Sequence, residues 1–545
     1  MSSDLMQIGS SALGAAYAQL QTTGQNIANA NTPGYVRREV QLQEAGSNLG
    51  TGGFVGRGVD VSSVRRVYDE FLVRESVSGQ AAWAQDRTRG TQLDRLDRLF
   101  ADADTGIGAA VDELMGSMAD VVNRPFDRSA RAAVLARADG FAERARALDA
   151  RLSELRDGTQ SQMQTEVGKA NGVLASLAAI NRQIADLRGS GHAPNNLLDQ
   201  RDRLLGELNG IVKANSVIAA DGTVTVQSLR GEALVVGAKA SRLSLVDDPT
   251  VPGRLGVTIV RDTGIPMRME AADLGGGSLA GLMRFRDEDL EATRTRLGGL
   301  VTAFATALNA QQARGLDASG AAGQPLFALG TTLAELRALQ SNPDRLATAL
   351  PVSAESGAAN AGDLKAAAVS IGAIGPNTAQ TVTLSFTGPG TFDVSGTGTG
   401  NPSGLAFTPG MQVSYNGWTA TLSGTPAAGD TLRIVATASA STDNRNARAM
   451  QALGDAPVVD GTTKVVDAYA SLVGEVGTRT QSARAAGDMS KRLFDEAERS
   501  RTELSGVNLD EEAARLMQYQ QAYQAAAKVI ETANEMFRTL LQAAG

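Results

Sequence analysis

The chain has 545 residues, which is too long for one hydrophobic core and predicts about three or four domains. Its net charge of −8 argues against nucleic-acid binding, since that function normally uses a clustered basic face. The absence of cysteine excludes disulfides, thiolate nucleophiles and cysteine-ligated metals, and the single histidine all but excludes Ser-His catalysis and His-rich metal sites. That histidine, His192, follows Gly-Ser-Gly and is predicted to be a solvated loop residue.

No apolar run in the sequence approaches the ~20 residues of a membrane span, so we expect no membrane partner. The N-terminus lacks the basic start and the apolar block of a cleavable secretory signal. We therefore expect a chain that is cytosolic, or one that leaves the cell by a route that reads no such signal.

The chain begins with a helical stripe in which apolar and small residues recur at alternating three- and four-residue steps. Its members are Met6, Gly9, Leu13, Ala16, Leu20, Thr23, Ile27 and Ala30. The helix is predicted to stop at the end of this stripe, because Pro33 disfavours α geometry at Thr32 and Gly34 permits a positive φ. An extended segment is predicted from Tyr35 to Leu42.

A helical pattern then runs from about Tyr68 to Leu208. Near its end, charges alternate in sign on a short helix that starts at Asn196. These charges are Asp199, Arg201, Asp202 and Arg203. We interpret them as a solvated, salt-bridged face, in which each ion pair contributes little stability.

Two regions in the middle of the chain are predicted to be β-rich. The first contains short strands at Thr223–Gln227, Leu234–Val236 and Gly256–Val260. The second spans roughly residues 365–440, where Val382, Leu384 and Phe386 alternate with polar residues. Glycines and prolines mark the turns of this second region, which is predicted to be a small sandwich or barrel.

Helices are predicted after each β region. The first follows Gly275-Gly276-Gly277, with Ser278 as its N-cap. It continues as an apolar stripe from Leu290 to Leu308. A last helical stretch runs from Arg445 towards Arg501 and precedes the C-terminal helix.

The C-terminal helix repeats the spacing of the N-terminal one. Its stripe consists of Leu509, Ala513, Leu516, Gln520, Tyr523, Ala527, Ile530, Asn534, Phe537 and Leu541. This spacing averages ~3.5 residues, the period of a seam between paired helices. Because Ala, Gln, Asn and Thr dilute both stripes, we expect both ends to be marginal in a monomer and sensitive to light proteolysis.

These elements predict an α+β multidomain protein. We expect an elongated molecule with paired N- and C-terminal coiled-coil helices, a discontinuous helical bundle and two inserted, mainly-β domains. The predicted boundaries are 1–40 and 505–545 for a terminal helical domain, 41–212, 276–320 and 441–504 for the helical bundle, 213–275 for a small β insert, and 321–440 for an outer β-rich domain.

The sequence contains no recognisable catalytic signature. A phosphate-binding Gly-x-x-x-x-Gly-Lys-Ser/Thr loop and a His-Glu-x-x-His motif are both absent. The Gly396–Gly400 run lacks the strand and helix of a dinucleotide site and is interpreted as a flexible β loop. Glu511 and Glu512 begin a helix, where they interact favourably with the helix dipole. We expect no enzyme activity, no cofactor and no metal.

Motifs at both ends resemble those of known proteins. Residues 26–35, Asn-Ile-Ala-Asn-Ala-Asn-Thr-Pro-Gly-Tyr, resemble the N-terminal signature of bacterial flagellar rod, hook and hook-associated proteins. Residues 505–513 and 518–523 resemble the corresponding C-terminal signature. Four interior segments are similar to the hook-associated protein 1 (FlgK) family, namely residues 193–202, 315–317, 415–418 and 443–447. The family usually has Asp at the position of Asn196.

This resemblance implies a structural protein at the junction of hook and filament, outside the cell, exported through the flagellar type III apparatus without a cleavable signal. It implies a homo-oligomeric ring whose paired terminal helices line the inner tube. The implied partners are the hook protein on one side, hook-associated protein 3 on the other, and an export chaperone in the cytoplasm. The predicted assembly interface consists of Leu13, Leu20, Ile27, Asn29, Asn31, Pro33, Gly34, Tyr35, Leu509, Leu516, Tyr523, Ile530, Phe537 and Leu541.

Three alternatives are open at this point. The first is a hook-type axial subunit, which the Pro194–Asp202 segment and the long helical region disfavour. The second is a surface binding or adhesion protein that acts through residues 365–440. The third is an intramolecular coiled coil that closes an ordinary helical bundle.

Overall fold

The computed structural model describes residues 2–50, 53–101, 106–187, 194–251, 253–260 and 266–544. His192, for which the sequence predicts a solvated loop, lies outside the described residues. The chain divides into two compact units. Unit 1 comprises residues 1–93, 158–286 and 480–545, and unit 2 comprises residues 94–157 and 287–479.

Helices of the described residues are α1 Ser2–Ala28, α2 Glu70–Phe100, α3 Ile107–Asn123, α4 Arg128–Asp186, α5 Asn195–Ile211, α6 Ala271–Leu274, α7 Gly277–Arg284, α8 Glu291–Gln312, α9 Arg445–Ala452, α10 Val465–Ser505 and α11 Leu509–Ala544. A π-helical segment, Phe285–Leu290, joins α7 to α8. Short 3-10 turns lie at Leu333–Glu335 and Pro343–Arg345.

The strands lie in three stretches of the chain, at residues 38–66, 214–269 and 327–436. The strands before residue 270 are β1 Arg38–Glu44, β2 Ser47–Gly50, β3 Gly53–Gly56, β4 Val59–Arg66, β5 Ala214–Ile218, β6 Val224–Ser228, β7 Ala233–Val236, β8 Lys239–Ala240, β9 Arg242–Asp247, β10 Leu255–Val260 and β11 Pro266–Met269. The later strands are β12 Phe327–Ala328, β13 Arg337–Ala338, β14 Val352–Ser356, β15 Lys365–Ile371, β16 Val382–Gly388, β17 Thr391–Ser395, β18 Leu405–Ala406, β19 Gln412–Tyr415, β20 Trp418–Ser423 and β21 Thr431–Ala436.

Unit 1 has a hydrophobic core that the C-terminal part of α4 shares with α5, α7 and two antiparallel sheets, ordered β5-β6-β7-β8 and β11-β10-β9. Two asparagines of α4 bind the backbone of these sheets. Asn171 exchanges two hydrogen bonds of 2.8 Å with Leu243, and Asn181 bonds the carbonyl and the N–H of Val224 at 2.7 and 2.9 Å. Each amide therefore continues the strand's hydrogen bonding into the helix.

Unit 2 has a helical part and a β part. In the helical part, Phe141 of α4 packs edge-on against Phe304 and Phe327, with ring centroids 5.4 and 5.8 Å apart. In the β part, a five-stranded sheet (β14-β21-β16-β17-β18) and a three-stranded sheet (β15-β20-β19) share one core. The predicted alternation in β16 is confirmed, since Val382, Leu384 and Phe386 are buried and the residues between them are not.

The predicted start of α7 is wrong. The helix begins at Gly277 after Gly276 as N-cap, and the Ser278 hydroxyl instead donates a hydrogen bond to Glu166. The chain at Gly277 lies against the backbone of Ile211, which leaves room for glycine alone. Strands β12, β13 and β14 are not predicted from the sequence, because strands of two to five residues carry too little alternation.

The fold is α+β and multidomain, with long terminal helices and a β-rich middle region. Within the described ranges, no helix combines the length and the apolar character needed to cross a bilayer. Those same ranges contain no cluster of three or more acidic or histidine side chains placed to hold a metal ion.

Candidate assembly interface

The two terminal helices pack against each other in antiparallel orientation. Gly9, near the start of α1, lies against Ile530 of α11, whereas Asn26, near the end of α1, contacts Glu512. A Cβ atom at Gly9 would lie 2.8 Å from Cγ1 of Ile530, which is closer than side-chain carbons approach one another. Glycine at this position therefore permits the close approach of the two helices.

The buried seam of α11 differs from the predicted stripe, since eight of the ten stripe residues are exposed and two, Leu516 and Ile530, are half-buried. Buried or half-buried residues of this helix include Glu512, Leu516, Tyr519, Ala526, Ile530 and Ala533. The stripe also contains Ala513, Gln520, Ala527 and Asn534, which are all exposed. Each of these four lies one residue after a seam position, so the two sets have the same spacing and a similar mix of small and polar residues. Periodicity alone cannot distinguish them.

The predicted interface residues on the two helices fall into two groups. Those half-buried are Leu13, Leu20, Ile27, Leu516 and Ile530. Those exposed are Leu509, Tyr523, Phe537 and Leu541, at 52, 37, 47 and 59% of their full surface. The residues of the first group lose part of their surface to contacts within one chain, and those of the second leave apolar surface on α11.

The loop after α1 carries the remaining predicted residues. Asn31, Pro33 and Gly34 are exposed, and Asn29 and Tyr35 are half-buried. The Asn29 amide donates to the backbone carbonyl of Gln25 at 2.9 Å and accepts from the Thr32 hydroxyl at 3.2 Å. Asn29 therefore adds side-chain hydrogen bonds to the turn that ends α1.

Asn26 lies behind this loop at the centre of a buried hydrogen-bond network. Its Oδ1 atom accepts from the Tyr35 hydroxyl at 2.8 Å and from the N–H of Arg38 at 3.0 Å. Its Nδ2 atom donates to the carbonyl of Arg38 at 3.0 Å and to the Glu512 carboxylate at 2.9 Å. Burial raises the pKa of the Tyr35 hydroxyl. The network joins α1, β1 and α11.

A cluster of charges joins the β1–β4 pair to α5. Arg38 lies 3.0 Å from Asp199, and Arg66 lies 2.8 Å from Asp199 and also contacts Asp202. These four side chains retain between 6 and 14% of their exposure. Asn196 accepts a hydrogen bond from Arg38 at 2.6 Å.

The interpretation of the α5 charges as a solvated face is therefore wrong for three of the four. Asp199, Arg201 and Asp202 turn inward, and Arg201 also donates to the carbonyl of Gly222 at 2.5 Å. Arg203 is the exception, since it is exposed and pairs with Glu207. The partners Arg38 and Arg66 lie more than a hundred residues earlier, so the local charge pattern could not indicate them.

The start of α11 makes a second connection to β1. Asn508 caps the helix by accepting from the N–H of Asp510 at 3.0 Å. The N–H of Arg37 donates to the carbonyl of Ser505 at 2.9 Å, and the Arg37 guanidinium pairs with Glu511 at the same distance. The residues between α10 and α11 are thus held to the segment that follows α1.

Asp199 is expected to give unit 1 an unusual pH dependence. Burial raises the pKa of its carboxyl group, although Arg66 and Arg38 oppose the shift. A carboxyl whose pKa is higher in the folded chain costs stability at neutral pH, and it adds stability as the pH falls through that pKa. Asp199→Asn should therefore unfold at a temperature equal to or above that of the parent at about pH 7, and this advantage should shrink by about pH 4.

Thermal unfolding followed by circular dichroism at both pH values measures this difference. Asp60→Asn, an exposed substitution in β4, controls for the loss of one charge in the same unit. A gap between Asp199→Asn and the parent that widens on acidification would contradict the expectation.

Several functional candidates in this region were not identified from the sequence. Asn26 lies inside the N-terminal motif, but nothing in the motif indicates that its amide is buried. The place of Glu512 in the first turn of α11 agrees with the predicted interaction with the helix dipole, but the sequence does not indicate its hydrogen bond to Asn26. Arg38 and Arg66 carry no local signal, because an arginine in a strand is usually solvated.

Comparison with known proteins agrees with the motifs at both ends and in the helical region. Residues 93–327 match the family described as flagellar hook-associated protein FlgK helical domain. Residues 499–543 match the flagellar basal body rod FlgEFG protein C-terminal family, and residues 6–35 match the flagella basal body rod protein family.

Curated relatives match over nearly the whole chain. The chain is 32% identical over 551 residues to flagellar hook-associated protein 1 of Salmonella typhimurium, with 99% of each chain covered. It is 24% identical over 570 residues to the protein of the same name from Bacillus subtilis, with 98% of this chain and 97% of that one covered. The solved structure of the flagellar hook junction protein FlgK from Burkholderia pseudomallei shares the fold, with a TM-score of 0.71 and 23% identity over 78% of this chain and 98% of that one.

The curated relatives and the matched families therefore identify a structural protein of the bacterial flagellum. The chain belongs to the flagellar hook-associated protein 1 (FlgK) family.

Proposed function

We propose that the chain is a junction subunit that joins the flagellar hook to the filament, and that it assembles through its terminal helices without catalysing a reaction. The observation that supports this proposal most is the apolar surface that α11 leaves open after it has paired with α1. Leu509, Met517, Phe537 and Leu541 are all exposed on this one helix. Neighbouring exposed apolar residues such as Phe537 and Leu541, which lie about one helical turn apart, mark a contact with another molecule.

The register of the pair explains why, among the described residues, the C-terminal end of α11 extends past α1. Gly9 is opposite Ile530, and α1 begins at Ser2, only about two turns before Gly9. After Ile530, α11 continues to Ala544, which is about four turns. Because the helices are antiparallel, the last turns of α11 extend beyond the start of α1.

The outer face of α1 is exposed and so is available to a neighbouring copy. Exposed positions on this face include Ser10, Gly14, Tyr17, Gln21 and Gly24. A Cβ atom at Gly14 or Gly24 would meet nothing within 4 Å, so there is open space at both glycines. Burying one Leu or Phe of a neighbour's α11 there would contribute roughly 1.5–3 kcal/mol.

The remaining parts of the proposal follow from the family. The copies form a ring, with the hook protein on one side and hook-associated protein 3 on the other, and an export chaperone binds the chain in the cytoplasm. The protein acts outside the cell after export without a cleavable signal. The four-domain division with boundaries at residues 40, 212, 275, 320, 440 and 504 stays a prediction.

The experiment uses a strain that lacks this gene and is complemented with variants. Such a strain is expected to make hooks, fail to retain filaments and leak flagellin into the medium. Phe537→Glu combined with Leu541→Glu should leave the strain non-motile, because two carboxylates cannot be buried between neighbouring helices. The purified double variant should keep the circular dichroism of the parent, since both side chains are exposed in the monomer.

The matched control is Leu329→Glu combined with Leu339→Glu, which adds the same charges at two exposed leucines of unit 2. This control should restore filaments. Normal filaments on cells that carry the Phe537 and Leu541 substitutions would refute assembly through α11, and normal filaments without the gene would refute the junction role.

A further inference from the structure

The β part of unit 2 is joined to the helical part by two segments of chain. The entry segment, residues 344–351, leads into β14, and the return segment, residues 437–444, leads from β21 to α9. The two segments are bonded to each other. The N–H of Thr437 donates to the carbonyl of Pro351 at 3.0 Å, and the Thr437 hydroxyl donates to the carbonyl of Leu350 at 2.6 Å. Short connections of this kind are the usual place of a hinge between two folded parts.

Arg131 of α4 binds the entry segment from one side. Its Nη1 atom donates to the carbonyl of Leu346 at 2.9 Å, and its Nη2 atom donates to the Thr348 hydroxyl at 2.7 Å. Its Nε atom donates to the carbonyl of Pro125 at 2.6 Å, in the turn before α4. Arg131 is 2% exposed, and Thr348 is fully buried. One planar guanidinium therefore bridges the start of α4 and the chain that enters the β part.

Two buried amides bind the entry segment from α8 and α9. Gln312, the last residue of α8, donates to the carbonyl of Arg345 at 2.8 Å and accepts from the N–H of Ala347 at 3.1 Å. Asn446 of α9 donates to the carbonyl of Ala347 at 2.6 Å and accepts from the Gln311 side chain at 2.7 Å. Gln312 and Asn446 are fully buried. The entry segment is thus bonded to three helices that are far apart in the sequence.

Two of the interior motifs that resemble the FlgK family meet at this segment. The first is residues 315–317, where the N–H of Leu316 donates to the carbonyl of Ala349 at 2.8 Å. The second is residues 443–447, which include Asn446. Neither motif takes part in the proposed assembly through the terminal helices. Their position in the structure connects both of them with the attachment of the β part.

Arg131 is the member of this network that is most costly to bury. Its charge lies inside the protein, and its three described acceptors are uncharged. Burial lowers the pKa of its guanidinium, although Asp344 and Asp317 oppose the shift. A buried cation is tolerated where hydrogen bonds compensate for its lost hydration. Since an apolar side chain would not carry this cost, the hydrogen bonds are what arginine contributes here.

We infer that Arg131 is a positioning residue that locks the entry segment, so that the β part and the helical part of unit 2 move as one rigid body. Without its hydrogen bonds, the entry segment becomes a hinge, and the β part changes its direction relative to the helices. This role belongs to the single chain and does not depend on the proposed junction function.

Distances between two spin labels, measured by pulsed electron paramagnetic resonance on the purified full-length monomer, test this rigidity. Because the chain has no cysteine, labels attach only at Ala136→Cys in α4 and Gln412→Cys in β19, which are both exposed positions. The doubly labelled parent should give one narrow distribution of distances. Arg131→Met, which removes every donor but keeps an unbranched side chain, should widen that distribution at least ~2-fold.

Two further variants separate the hydrogen bonds from other effects. Arg151→Met makes the same change at an exposed arginine of the same helix, and it should leave the distribution unaltered. Arg131→Lys keeps the charge, but one ammonium group cannot reproduce the fork of a guanidinium that binds Pro125, Leu346 and Thr348. It should therefore widen the distribution nearly as much as Arg131→Met does.

Tryptophan emission shows whether the β part of each variant remains folded. Trp418 of β20 is 1% exposed, and the other tryptophan, Trp83, lies in unit 1. Emission like that of the parent is expected for every variant. If Arg131→Met does not fold, Thr348→Val decides the matter, because it removes one acceptor of Arg131 and keeps the shape of the side chain. Its distribution should be wider than that of Arg151→Met.

Any of four results would overturn this role of Arg131. One is that Arg131→Met gives a distribution no wider than that of Arg151→Met. Another is that the parent itself gives a broad distribution, which would mean that the entry segment is already a hinge. The third is that Arg131→Lys matches the parent. The fourth, if Arg131→Met does not fold, is that Thr348→Val matches Arg151→Met.

Discussion

Replacing Gly277 by alanine is expected to unfold unit 1 or to lower its free energy of unfolding by at least about 4 kcal/mol. Gly277 has φ of +87°, which strains any side chain. A Cβ atom there would lie 2.2 Å from the carbonyl oxygen of Ile211 and 2.6 Å from the backbone nitrogen of Val212. Neither atom can move without shifting α5, so the clash would disrupt the core that α5 and α7 share.

Urea unfolding followed by circular dichroism measures the loss, and limited proteolysis with peptide identification assigns it to unit 1. The control is Gly172→Ala, at an exposed helical position of α4 where a Cβ would meet nothing within 4 Å. Alanine there should stabilise the same unit by about 0.5–1 kcal/mol, because it reduces the conformational freedom of the unfolded chain. If Gly277→Ala unfolds at the same urea concentration as the parent, the expectation is wrong, and the backbone around Ile211 has moved to accommodate the new side chain.

In unit 2 the largest effect is expected for Phe141→Ala, at about 3–5 kcal/mol of unfolding free energy. Phe141 is fully buried on α4, and its ring packs edge-on against Phe304 of α8 and Phe327 of β12. The substitution removes buried apolar surface and two aromatic contacts. It also leaves a cavity between three segments that are far apart in the sequence.

The same urea experiment measures this change, with proteolysis now assigning it to unit 2. Phe126→Ala is the matched control, since Phe126 belongs to the same unit and is 70% exposed. Its effect should stay within about 0.5 kcal/mol. Equal losses for the two substitutions would contradict the assignment of Phe141 to the core.

The terminal helices show which features helical periodicity predicts and which it does not. The spacing in the sequence correctly predicts two helices of matching pattern at the two ends, and the structure pairs them. It does not choose between Glu512 and Ala513, or between Ala526 and Ala527, as the inward residue of α11. Small and polar residues stand at both members of each pair, so burial is decided by contacts with α1 rather than by local composition.

The charges of α5 are a second feature that the local sequence does not predict. Alternating signs on a helix usually indicate a solvated face, and the local sequence offers no reason to expect otherwise. Arg38 and Arg66 reach this helix because the N-terminal motif turns the chain into β1, which pairs with β4. The cluster therefore exists only after the β1–β4 pair has formed, and no pattern within either segment contains it.

The sequence by itself determined the family, through motifs at both ends and in the helical region. It also determined the α+β composition, the periodic terminal helices and the β alternation, because these depend on residues within a few positions of each other. The tertiary structure alone decided that Asn26 binds Glu512, that the α5 charges turn inward and that Gly277 lies against Ile211. Each of these contacts joins residues that are remote in the chain, and the closeness of remote residues is a property of the packed fold.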